Sequence, residues 1–122
     1  GGHIIKAIQT KFQDVNITAV GTNAVATATM LKAGANQAAT GENPVIVACR
    51  KADIIIGPIG IVIADSLLGE VTPNMAVAVG QADATRILLP INKCDNLVAG
   101  VPNLNTSEII KDVIEKLNTI ML

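Results

Sequence analysis

The chain has 122 residues, half of them apolar but with Phe12 as the sole aromatic, and a formal net charge of −1. That length suits a single domain spanning residues 1–122, and scattered basic residues without Tyr or Trp to stack on bases disfavour a nucleic-acid partner. The longest uncharged apolar run, Ile54 to Ala64, contains Gly and Pro and falls short of the roughly 20 residues of a membrane span; with no visible leader and no Cys-x-x-Cys pattern linking Cys49 and Cys94, the chain reads as a cytoplasmic protein with reduced thiols and no membrane partner.

Ile4, Ile5, Ile8 and Phe12 recur at helical spacing, with Lys6, Gln9, Lys11 and Gln13 between them. An amphipathic helix therefore begins almost at the first residue. Asn16 to Val20 reads as a strand that ends in Gly21-Thr22-Asn23, and Ala24 to Ala33 as a helix stopped by Gly34. Gln37 to Thr40 is a short strand running into Gly41-Glu42-Asn43-Pro44. Asn as N-cap with Pro in the first turn predicts a helix from there to Lys51.

Ile54 to Gly57 is the clearest buried strand, interrupted by Gly57-Pro58-Ile59-Gly60. Helices are expected at Ile61–Leu68 and at Pro73–Ala82, the second opened by Thr72-Pro73. Arg86 to Leu89 is a further strand, ended by Pro90. A turn over Asn92–Asn96, too short for a parallel crossover, predicts Leu97–Val101 returning antiparallel beside it. Asn105-x-x-Glu108 is a capping-box start for a last helix. Ile109, Ile110, Val113, Ile114 and Leu117 share one face of that helix, and Asp112 can pair with Lys116.

Strands alternating with helices imply an α/β fold: three-layer and Rossmann-like, with a mostly parallel sheet and a C-terminal antiparallel hairpin. Ile54–Gly57 is expected at its centre. Such a domain normally opens on a strand, whereas this chain enters a helix directly after Gly1-Gly2. A first strand preceding Gly1 is therefore expected.

The stretches GTNAVATATMLKAGA, ATGEN, DIIIGPIGIVIADSLLGEVTP, MAVAVGQA and ILLPINKC cover most of the span from Gly21 to Cys94. In content and order they resemble a small bacterial family of uncharacterised Rossmann-like proteins, a domain-of-unknown-function family common in anaerobic Gram-positives. The resemblance implies a Rossmann-like fold and an opening strand followed by a loop rich in Gly and Gln, of which Gly1-Gly2 would be a remnant. His3 departs from the small residue usual there. The family carries no assigned activity to transfer.

In a doubly wound sheet, ligands bind at the carboxyl ends of the strands. The turns expected to gather there supply the candidate binding residues: Gly1 and Gly2; Gly21, Thr22 and Asn23; Gly41, Glu42 and Asn43; and Gly57, Pro58 and Gly60. Gly57 and Gly60 would let backbone approach a ligand, with Pro58 stiffening the turn, though a tight packing turn reads the same way. Replacing Gly60 with Val is expected to abolish binding and leave the fold largely intact.

The acid that holds ribose hydroxyls in NAD-binding proteins has no counterpart at Gly21-Thr22-Asn23, which disfavours standard NAD and leaves another nucleotide open. Asn23 reads equally well as a helix cap. Glu42, an acid in a strand-end turn, is the candidate general base, with a solvated or capping role beside it. Asp65 reads as catalytic or as surface-facing. A thiol at Cys94 beside Lys93 reads as mildly activated or as a plain loop cysteine. His3 is the sole histidine, so no two-histidine metal site exists.

Two functions follow. One is the binding of a nucleotide or other small anionic ligand, with no reaction specified. The other is a homo-oligomeric structural or regulatory protein, at least a dimer, joined through Ile61–Leu68 and the helix near Met75–Val79. A short-chain dehydrogenase is disfavoured because the chain has no Tyr.

Overall fold

The sequence periodicities become an α/β structure in a computed structural model that describes residues 1–91 and 95–121. The chain divides into two units: Gly1–Ala39 with Pro102–Leu122, and Thr40–Val101.

In the first unit, α1 (Gly2–Lys11) buries Ile5 and Ile8, the inward members of its helical stripe. β1 (Thr18–Gly21) alternates, with Ala19 and Gly21 buried. α2 (Ala24–Lys32) follows under an Asn23 cap, and β2 (Gln37–Thr40) pairs with β1. The core joins Ile5, Ala19 and Ala35 to Ile17, Met30, Ala33 and Ala38. α5 (Thr106–Ile120) packs on α1, with Ile109, Val113 and Leu117 buried. Its start is the expected capping box: Asn105 Oδ1 accepts from the Glu108 amide at 2.8 Å, and Glu108 Oε1 accepts from the Asn105 amide at 3.3 Å. Lys116 and Asp112 pair at 2.5 Å across the outer face.

In the second unit, α3 (Glu42–Lys51) leads to β3 (Ile54–Pro58) and a 3-10 turn (Ile59–Val62). α4 (Pro73–Gln81) then crosses over to β4 (Thr85–Leu89). β3 and β4 are parallel, in register from Ile54 opposite Thr85 to Pro58 opposite Leu89. Val71, Met75 and Ala76 form the core with Val45 and Leu67 packed against them.

Three expectations are corrected. Ile61–Leu68 is not a helix. After the 3-10 turn the chain makes tight turns with Asp65, Leu67 and Leu68 at φ of 63°, 55° and 57°, closed by the Asp65 amide donating to the Val71 carbonyl at 2.7 Å. The β-branched run Ile59-Ile61-Val62-Ile63 is a weak helix former, and the turn sends Leu67 into the core while Leu68 stands fully exposed at 104%.

Leu97–Val101 is not a strand. These residues form a turn at Ala99-Gly100, with Gly100 at φ +79° and Leu97 94% exposed, and β4 has its partner in β3. Part of the expected Asn92–Asn96 connection, with Lys93 and Cys94, lies outside the described residues.

The cap of α3 is Gly41 rather than Asn43, which sits inside the first turn with Pro44. Gly41 adopts φ +110° and ψ −173°, a conformation that an L side chain resists.

Candidate functional site

β3 and β4 are parallel, so α4 starts on the side where β3 ends. α3 ends where β3 begins, and its own first residue therefore lies on that same carboxyl edge. A hydrogen bond fixes the juxtaposition: the Thr72 hydroxyl donates to Glu42 Oε1. Asn74 Nδ2 approaches Glu42 Oε2 at 3.5 Å, and Thr72 Oγ1 also accepts from the Met75 amide at 3.2 Å, capping α4. One hydroxyl thus donates to a carboxylate and accepts from a backbone N–H. One carboxylate ties two helix starts together.

Electrostatics favour this placement. The N-terminal ends of α3 and α4 carry partial positive charge, and an anion beside each is stabilised by about 0.3–1 kcal/mol. Glu42 therefore occupies ground where a ligand phosphate would otherwise sit. A carboxylate offers about four acceptor positions. Thr72 and Asn74 take two, and the others can receive hydroxyl or N–H donors. Beside it, nothing lies within 4 Å of where a Gly41 side chain would begin, and Asn43 is exposed.

Gly57 and Gly60, on the same edge, are packed from within. A Cβ on Gly57 would stand 2.8 Å from Ile61 Cδ1, and one on buried Gly60 would stand 3.0 Å from Ser66 Oγ. Ser66 Oγ donates to the Gly60 carbonyl at 2.5 Å. Gly60→Val would therefore disturb the fold itself, against the expectation that it spares it. Pro58 closes β3 opposite Leu89.

In the first unit, a Cβ on Gly21 would lie 2.3 Å from Thr27 Oγ1, so this buried glycine lets β1 run close under α2. Asn23 caps α2 by accepting from the Ala26 amide at 2.9 Å, with Thr22 exposed next to it. No acidic residue lies in the first turn of α2. Gly1 and Gly2 pack against Met30, Thr29 and Ala33. Met30 is about 10 Å along the helix axis from Asn23, at 1.5 Å per residue. The glycine pair thus serves helix packing at the C-terminal half of α2, apart from the Gly21-Thr22-Asn23 turn.

His3, Asp65 and Glu70 are exposed. Sequence reasoning missed Thr72 and Asn74 as partners of Glu42. It also missed a groove of about 310 Å³ between the C-terminal halves of α3 and α4, onto which Cys49 opens and where burial pushes the Cys49 thiol up. Among the described residues no group of three His, Cys, Asp or Glu could hold a metal ion, and no helix is long and apolar enough to cross a membrane.

No curated protein and no solved structure matches the chain. A family model matches residues 1–122, the full span carrying the Glu42 edge and the α2 start, and the chain belongs to that family, the domain of unknown function DUF3842.

Proposed function

We propose that this protein is a Rossmann-like binder of a nucleotide or a similar small anionic ligand that also bears hydroxyls. The observation carrying this reading is the Glu42 carboxylate, held by Thr72 and Asn74 where α3 and α4 begin, with acceptor positions left for ligand donors. Ribose hydroxyls are donors of that kind. Gly41 and Asn43 flank the carboxylate, and Pro58 and Gly60 shape the same edge.

In the first unit, taken by itself, another helix start suits an anion. α2 begins after Gly21-Thr22-Asn23 with no acid in its first turn, so its own residues leave its N-terminal charge unbalanced. Glu42 as general base stays within this reading: a carboxylate accepting from hydroxyls is placed to take a proton from one.

Thermal unfolding with ADP tests it. Ligand at about 100 times its Kd should stabilise the wild type by about 2.7 kcal/mol, and Glu42→Gln should remove much of that gain. Absence of stabilisation by ADP and by other nucleotides would reject the reading.

A second reading, self-association, draws on exposed apolar side chains. Val25 is 77% and Leu31 51% exposed on α2, and Val77 is 52% exposed on α4. The interface expected over Met75–Val79 shrinks, because Met75, Ala76 and Val79 are buried. Val77 and Leu68 are what that region presents outward. A monomer mass by light scattering at micromolar concentration would remove this reading.

A further inference from the structure

At the ends of α3 and α4 away from Glu42, Ile46, Cys49 and Arg50 face Ala78, Ala82 and Asp83 across the groove of about 310 Å³. Positions 46, 49 and 50 follow i, i+3, i+4 spacing, as do 78, 81 and 82, so each wall is one helix face. Packed helices normally interdigitate to near-crystalline density. Here Cys49, Ala78 and Ala82 are too small to fill the space between the walls, and the gap stays open.

The rim carries chemistry. Arg50 comes from the last turn of α3, and Asp83 stands just beyond the C-cap of α4. Among the described residues the ion pair is Lys116 with Asp112, so Arg50 and Asp83 flank the groove without pairing each other. Arg86 is committed elsewhere: its Nη1 donates to the Val79 and Ala82 carbonyls at 3.3 and 2.8 Å. Gln81 adds a neutral amide.

We propose that this groove is a second binding site and that it takes a free aliphatic α-amino acid. The ligand's carboxylate lies on Arg50, its ammonium on Asp83, and its side chain against Ile46, Ala78 and Ala82. An Arg fork matches a carboxylate in two parallel hydrogen bonds. Arg86 already balances the C-terminal end of α4, so Asp83 itself is the groove's acceptor for a cation. The volume is at the lower end of small-molecule sites, which run from roughly 300 to 1,000 Å³, and no aromatic ring lines it to favour a flat ligand. The site is independent of Glu42, so its test stands apart from that of nucleotide binding.

Cys49 is the reporter. In the full chain carrying Cys94→Ser, its rate of modification by a soluble thiol reagent should fall about tenfold with L-leucine at about ten times its Kd. Leucinamide, without the carboxylate, and 4-methylpentanoate, without the ammonium, should protect far less. Arg50→Ala should lose the protection, read as the ratio of its own rates with and without L-leucine. Titration calorimetry of the unsubstituted chain with L-leucine should show saturable heat, which keeps the test valid if a variant misfolds. Lack of both protection and heat would overturn the proposal, as would equal protection by the two analogues or full protection in Arg50→Ala.

Discussion

Helix α2 begins under an uncharged asparagine cap with no acid in its first turn, whereas α3 begins on a glycine with Glu42 as its first residue. The Asn23 side chain is turned inward to the Ala26 amide. The Glu42 side chain instead leaves its own helix and takes the Thr72 hydroxyl at the start of α4. One helix start thus has no acid in its own first turn, and the other supplies its own anion. Two turns that look alike in sequence, each polar and glycine-led after a short strand, differ in charge: one suits an anion and the other hydroxyl or N–H donors.

The largest effect expected comes from the packing beneath the α2 start. Gly21→Val places a Cβ 2.3 Å from Thr27 Oγ1 and should destabilise by about 3 kcal/mol. Gly41→Ala meets open space and should lose about 1–3 kcal/mol, from backbone conformation alone. Chemical denaturation of both variants would break the contrast if the two losses came out equal.

Next, Glu42→Ala deprives Thr72 of a charged acceptor and should lower stability by about 1.5–3 kcal/mol. Thr72→Val should lose a similar amount, and the double variant less than the sum, because both remove one bond. Simple additivity would mean that Glu42 does not tie the helix starts. Leu68→Gly should act in the other direction and stabilise by about 1 kcal/mol, since a fully exposed leucine at φ +57° has no packing to lose.

The smallest expected effect is Asn23→Asp. The acid keeps the cap and balances the helix charge, so thermal stability should rise by about 0.3–1 kcal/mol, while phosphate binding at that start should fall. A rise in phosphate affinity would reverse the assignment. A pH effect at Cys49 joins it: burial raises its thiol in the fold, so the neutral form is favoured there. Its stabilising contribution is complete below the ordinary thiol range and is lost as pH rises through it. Unfolding curves of Cys49→Ala should show a shallower alkaline loss than wild type.

Much of this architecture was legible because it is written locally. The stripe on α5, the Asn105–Glu108 box and the Thr72-Pro73 opening of α4 each lie within a few residues of sequence and appear as read. The misreadings share another cause. Leu67 adopts a left-handed backbone because its side chain joins Val71 and Met75, a tertiary demand that an apolar run cannot announce. Leu97–Val101 has strand composition but, among the described residues, no partner strand, and pairing is what makes a strand. Glu42 stood out as an acid in a strand-end turn, yet the hydroxyl that gives it a role lies 30 positions away. The groove was hidden because small residues announce themselves only when two helices bring them face to face.

Backbone amide NMR with adenosine and with inorganic phosphate, titrated separately, tests the contrast between the two helix starts most directly. The account predicts that adenosine shifts the amides of Gly41, Glu42, Asn43, Asn74 and Met75, while phosphate shifts those of Thr22 to Ala26. Phosphate acting at Gly41–Asn43 and leaving α2 unmoved would contradict it.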